Sequence, residues 1–187
     1  MDDIGGCRVI VDDMPQLEEA VWAIRSTLRL KEGDGAMKDY TRGPRESGYR
    51  SCHLVTMNRG DDRDYRVEVQ VRTKLQHLWA TAIEAVGSVY GIDLKTEKAP
   101  EEYCDPLEGD LRALFASLAD VLAIEEGCPP SMPGTTMEAA LAKTRGSAIL
   151  GRVLSDLSNV KDGVFVEGPS TDSDSPGLYL MEFRRGI

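Results

Sequence analysis

From Tyr65 to Arg72 the chain alternates without a break: Val67, Val69 and Val71 fall on one side, Glu68, Gln70 and Arg72 on the other. A period of two is that of an extended strand, whose successive side chains point to opposite faces. The valines demand burial, and a slip of one residue would turn all of them to solvent, so the pattern dictates both a strand and its facing. A chain like this must build a sheet with one apolar and one polar face. The polar face sets a carboxylate, an amide and a guanidinium side by side, either as a solvated surface or as the floor of a site.

The elements around this strand are legible from periodicity. Cys7 to Val11 reads as a second strand. Asp13 is placed to cap a helix, Gln16 completes a capping-box pattern, and Pro15 is tolerated in the first turn. Leu17, Ala20, Val21, Ile24 and Leu28 then recur at helical spacing, predicting a helix over about 14–29. Residues 31–48 read as loop, broken by Gly33, Gly35, Gly43, Pro44 and Gly48. Cys52 to Met57 is a further strand, and Asn58 to Asp62 a turn. Lys74 to Tyr90 is a strong helix with the stripe Leu75, Leu78, Trp79, Ala82, Ile83 and Val86. Trp79 reads as core. Glu84 lies close to the stripe, as a half-buried carboxylate with a cationic partner or as a flanking charge. Leu107 to Ile124 is another helix. The run from Gly127 to Gly134, with Pro129, Pro130 and Pro133, marks a boundary between residues 1–126 and a C-terminal extension, 127–187. The extension reads as a helical tract over about 136–159 and two short strands, Gly163 to Glu167 and Leu178 to Phe183.

The segment from Lys38 to His53 holds four cations, Lys38, Arg42, Arg45 and Arg50, with Tyr40 and Tyr49, in a chain of formal net charge −10. A cationic, aromatic, glycine-containing loop in an acidic protein suits an anionic, planar ligand, and a nucleotide is the natural candidate. This loop favours the active-site reading of the polar strand face. The negative balance opposes broad nucleic-acid binding, which needs many phosphate contacts, but fields focus in clefts and a local cationic pocket stays open to the chain. No apolar run approaches the roughly 18 residues of a membrane span, and the acidic N-terminus lacks a secretory pattern, so a cytoplasmic location without membrane attachment is expected. Cys7, Cys52, Cys104 and Cys128 form no C-x-x-C pair and no zinc spacing. Cys7 and Cys52, in or beside strands, are expected to be buried thiols.

Phosphoryl-type transfer is mostly positioning and charge neutralisation. Magnesium keeps several waters and takes one or two carboxylates. Asp3 and Glu68 are the candidate carboxylates, and Lys38, Arg42, Arg45 and Arg50 the candidate cations. Tyr49 can stack on a base, and Gly48 permits close backbone approach.

These residues stand in a recognisable order: Asp3-Ile4-Gly5-Gly6-Cys7-Arg8, then Lys38-Asp39-Tyr40, then Pro44-Arg45-Glu46-Ser47-Gly48-Tyr49-Arg50-Ser51-Cys52-His53, then Val67-Glu68-Val69-Gln70-Val71-Arg72-Thr73. From about Asp3 to Gly91 the chain resembles the synthetase domain of the RelA/SpoT family of alarmone synthetases, and Leu75 to Gly87 resembles its single-domain branch of small synthetases and toxin relatives. The resemblance implies an α+β fold of nucleotidyltransferase type: a mixed sheet flanked by helices on one side, with the helix-plus-two-strand extension appended. It implies transfer of the β,γ-pyrophosphate of ATP to the 3′-hydroxyl of GDP or GTP, making (p)ppGpp with Mg²⁺ as cofactor. On this resemblance Asp3 would bind the metal, and Glu68 would bind it or help deprotonate the acceptor hydroxyl. Tyr49 would stack on guanine. Lys38, Arg45 and His53 would contact acceptor phosphates or orient the loop, while Gln70 and Arg72 would line the site.

The family's preceding helix and basic segment, which supply much of its ATP site, have no counterpart in the two residues before Asp3. These 187 residues alone are therefore expected to bind GDP or GTP better than ATP and to show little or no synthetase turnover. Arg45 stands where lysine is common, which keeps the charge and changes its geometry. Two other functions fit the same residues: a toxin relative that pyrophosphorylates the 3′ end of tRNA, which the acidic charge disfavours, and a catalytically impaired nucleotide-binding module. The sequence leaves the oligomeric state open, a homo-oligomer included.

Overall fold

A computed structural model describes residues 5–60, 64–96, 98, 99, 102, 103 and 105–158. Asp3, Cys104 and both strands expected near the C-terminus lie outside them. The described chain runs β1 (Gly5–Val11), α1 (Met14–Thr27), β2 (Met37–Asp39), β3 (Cys52–Arg59), β4 (Asp64–Thr73), α2 (Lys74–Tyr90), α3 (Pro106–Glu125), α4 (Met137–Arg145) and α5 (Leu150–Ser158). The strands form one mixed sheet in the order β1-β4-β3-β2, with β1 parallel to β4 and the other pairs antiparallel. This is the α+β sheet expected.

The alternating strand is β4, and its facing is as the valines require. Val69 and Val71 are buried with Cys52 and Leu54 of β3 against Met14, Leu17 and Val21 of α1, and Ala123 and Cys128 close the far side. Asp13 caps α1 by accepting from the Gln16 amide at 2.9 Å. The reciprocal bond differs from the expected box: Gln16 Oε1 accepts from the Asp12 amide, one residue early, at 3.1 Å. A full box instead starts α2, where Thr73 and Gln76 bond each other's backbone.

A second core joins α2, α3 and α5. Trp79, Ile83 and Val86 pack on Leu111, Leu114 and Phe115, and Ile149, Val153 and Leu157 complete the cluster. Trp79 is core, as expected, with its indole N–H donated to the Phe115 carbonyl at 2.9 Å. Leu78, counted in the stripe, is 37% exposed, since a knob one position round the helix from Trp79 leaves the packed face. Glu84 is exposed and paired with Lys95.

Other expectations need correction. Loop 31–48 contains β2, because residues 37–39 pair along the outer edge of β3. The strand expected to end at Met57 continues to Arg59, in register with Asp64. The helical tract over 136–159 is two helices, broken where Gly146 caps α4. Cys7 is exposed although it faces the same way as buried Val69, because β1 is the edge strand of the sheet.

Gly48 holds φ at +89°, where a side chain is strained. A Cβ there would stand 2.6 Å from Ala119 Cβ and 3.4 Å from Trp79. The close approach that the sequence suggested is to α3, which anchors the loop beside Tyr49. Gly48→Ala is expected to destabilise the protein by about 1–3 kcal/mol, read as a lowered thermal midpoint.

Candidate active site

The polar face of the sheet brings most of the candidate residues together. Register sets Lys38 of β2, His53 of β3, Gln70 of β4 and Arg8 of β1 in one row. Glu68 lies in the next row, opposite Gly6 on β1 and Val55 on β3. A Cβ at Gly6 would meet only the Glu68 carbonyl, at 3.7 Å. Glycine there keeps the space beside the Glu68 side chain open, since residues paired across two strands project to the same face.

Five of these residues close a ring of hydrogen bonds. Arg72 Nη2 donates to the Tyr49 hydroxyl at 2.6 Å and to Gln70 Oε1 at 2.8 Å. Gln70 Nε2 donates to Glu68 Oε2 at 2.9 Å. Tyr49 Oη lies 2.7 Å from His53 Nε2, and His53 Nδ1 lies 2.9 Å from Glu68 Oε1. Glu68 side-chain exposure is 32%, so its carboxylate still reaches the open face.

The Tyr49 ring is wedged between charges and aromatics. The Arg72 guanidinium carbon lies 5.0 Å from its centroid and that of Arg45 5.9 Å, within reach of cation–π attraction. Trp79 supports it at 6.5 Å between centroids, and Tyr40 meets it edge-on at 6.2 Å. Arg45 is exposed and lies 4.7 Å over Tyr40, bonded to that hydroxyl at 3.2 Å.

The remaining candidates divide. Lys38 is exposed beside His53, and its charge reaches Glu68. Arg42 turns the other way and pairs with Glu18 of α1 at 2.8 Å, toward the helix that covers the apolar face. Arg50, named among the candidate cations, is buried and structural. It donates to the Thr41 carbonyl at 2.5 Å and the Pro129 carbonyl at 2.8 Å, stapling the loop to the residues after α3. Arg8 was passed over as a site residue. It stood in the same six-residue motif as Asp3, and pairing of β1 with β4 puts it on the polar face. Asp3 lies outside the described residues.

Burial pushes the Glu68 carboxyl up, but the bonds from Gln70 and His53 and the charge of Lys38 outweigh it, leaving its pKa below the ordinary 4.5. Burial lowers His53 below the ordinary 6.5; Glu68 pulls it up, and Arg72 and Arg45 add to the lowering. At neutral pH the site therefore holds an ionised carboxylate and a neutral imidazole. Both folded values lie below the unfolded ones, so both groups contribute stability that is full above the ordinary values and declines on acidification. The thermal midpoint is expected to begin falling as pH drops below 6.5, and again below 4.5. The first decline should shrink in His53→Gln.

This is the polar face of the sheet of an α+β domain, and comparison with known proteins shows what the domain is similar to. Residues 1–90 match the family model described as the region found in RelA/SpoT proteins. Over those residues the chain is thus similar to RelA/SpoT proteins. It is 29% identical over 114 residues to GTP pyrophosphokinase YjbM of Bacillus subtilis, covering 54% of this chain and 52% of that protein. It is 38% identical over 78 residues to the probable chloroplastic GTP diphosphokinase RSH2 of Arabidopsis thaliana, covering 42% of this chain and 10% of that one. The chain therefore spans about half the length of the first relative and a tenth of the second. Among solved structures, the fold matches small alarmone synthetase 2 from Bacillus subtilis with a TM-score of 0.50 at 22% identity, covering 68% of this chain and 64% of that one. Among the described residues, no helix is long and apolar enough to cross a membrane.

Proposed function

We propose that this chain forms the acceptor side of a (p)ppGpp synthetase, taking GDP or GTP as acceptor and ATP as pyrophosphate donor. The observation that carries the reading is the ring of bonds that ends on Glu68 beside an aromatic platform, Tyr49, on a face carrying Arg8, Lys38 and Arg45. The names of its relatives, GTP pyrophosphokinase and GTP diphosphokinase, point to the same chemistry.

In this reading guanine stacks on Tyr49, and Lys38 and Arg45 take the acceptor phosphates. Glu68 accepts the proton of the ribose 3′-hydroxyl as that oxygen bonds to the β-phosphorus of ATP and AMP departs. Among the described residues no cluster of three His, Cys, Asp or Glu side chains could hold a metal. A lone carboxylate with open lone pairs suits magnesium, which completes its shell with water and substrate phosphates. Glu68, with Asp3, would hold Mg²⁺, which would supply charge neutralisation on the transferred phosphates.

The test is transfer of label from β,γ-labelled ATP, with Mg²⁺ and GDP, followed by chromatography, and calorimetry of GDP binding alongside. GDP-dependent appearance of labelled ppGpp is expected. Binding of GDP without transfer would instead support a nucleotide-binding module. Neither binding nor transfer would overturn the reading.

A further inference from the structure

Tyr49 stands between two residues tied to elements beyond the sheet. Gly48, before it, sits against Ala119 of α3. Arg50, after it, is 4% exposed and reaches the Thr41 and Pro129 carbonyls. Thr41 lies at the start of the loop between β2 and β3, and Arg50 at its end. The first bond therefore closes the neck of the loop, and the second ties that neck to the segment after α3. Thr41 is itself fixed, its amide and hydroxyl donating to Asp39 Oδ1 at 2.8 and 2.5 Å. Two turn bonds carry the anchorage on to Arg45. Its amide donates to the Tyr49 carbonyl at 3.2 Å, and its carbonyl accepts from the Gly48 amide at 2.8 Å. Tyr49 and Arg45, the two groups of the loop assigned to the acceptor nucleotide, thus hang from the Arg50 neck.

Arginine is a costly anchor here. Its Nε is buried and makes no hydrogen bond, and a buried donor without an acceptor costs stability. Both of its acceptors are carbonyls rather than carboxylates. An apolar side chain of similar length would fill the space without a buried charge, and such replacements are often neutral or stabilising. It could not hold two carbonyls, one 9 and one 79 residues away in the chain, in a single fixed geometry.

We propose that Arg50 is a positioning residue that holds the acceptor loop in its binding geometry before the nucleotide arrives, presenting Tyr49 and Arg45 already ordered. This rests on the reading of Tyr49 as the guanine platform. Pre-organisation raises affinity by removing the cost of ordering from the binding step. Where only a fraction of the molecules has the loop seated, the apparent Kd is the intrinsic one divided by that fraction.

The experiment pairs calorimetry of GDP binding with ¹⁹F NMR of protein labelled with fluorotryptophan. The chain has two tryptophans, so Trp22→Phe assigns the spectrum. Trp22 is exposed on α1, whereas Trp79 is buried against Gly48 and Tyr49, so the Trp79 signal reads whether the loop is seated. In Arg50→Met that signal is expected to move or divide, and to return toward the parent position at saturating GDP. If the seated loop falls to about a tenth of the population, the Kd for GDP rises about tenfold with the stoichiometry unchanged. Arg50→Lys keeps the charge but lacks the planar fork that spans two carbonyls, and should fall between Arg50→Met and the parent.

A parental Kd in Arg50→Met would overturn the proposal. So would a raised Kd with the Trp79 signal unmoved, or a lowered stoichiometry at parental Kd, the mark of a merely destabilised protein. Should Arg50→Met fail to fold, Arg50→Lys is held to the same three outcomes. Failure of the parent to bind GDP would refute the acceptor reading, and the Trp79 signal alone would then decide whether Arg50 seats the loop.

Discussion

Glu68→Gln is expected to lower single-turnover transfer of label to GDP by about 10²–10⁴-fold, the usual contribution of a positioned general base. Glutamine keeps the size of the side chain and one acceptor oxygen, so the sheet should fold. It cannot take the ribose proton, and its NH₂ group opposes the donors of either Gln70 or His53. GDP affinity measured by calorimetry should change little, because the proposed guanine platform, Tyr49, and the proposed phosphate cations, Lys38 and Arg45, are other residues. A loss of GDP binding as large as the loss of turnover would place Glu68 in ground-state binding instead. Retained turnover would remove it from the chemistry.

Tyr49→Ala is expected to weaken GDP binding by about 1–3 kcal/mol, the worth of one base stacked on an aromatic ring. That is roughly 5- to 140-fold in Kd. An ATP analogue should be far less affected. The ring also packs on Trp79 and takes the Arg72 bond, so some thermal stability goes with it. Tyr49→Phe separates the two effects, since it keeps the stacking surface and loses only the hydroxyl. Equal losses for GDP and the ATP analogue would show that Tyr49 is not the acceptor platform.

Much of this arrangement was readable in the sequence because it depends on local pattern. The alternation of Val67 to Arg72 gave the strand, its buried face and the three polar residues that share the other face. Helical spacing gave α2 with its bounds, and Trp79 as core. What escaped depended on contacts between distant segments. Arg50 and Arg45 sit in the same loop with the same charge, and the Thr41 and Pro129 carbonyls, the second contributed from after α3, distinguish a staple from an exposed cation. Arg42 likewise reads as a site cation until Glu18 of α1 takes it. Arg8 needed the parallel pairing of β1 with β4, which no local period reveals. The glycine at 48 was recognised, but what approaches it is Ala119 of α3, distant in the sequence. The ring of bonds that ends on Glu68 depends on distances, and no spacing in the sequence encodes them.

The most direct test of the acceptor site is a crystal structure with GDP and Mg²⁺ bound. Guanine is expected against the Tyr49 ring, with the ribose 3′-oxygen within roughly 2.6–3.2 Å of a Glu68 oxygen, the reach of a general base. A GDP bound elsewhere, or one on Tyr49 with its 3′-oxygen turned away from Glu68, would contradict the assignment of this sheet face as the site of pyrophosphate transfer.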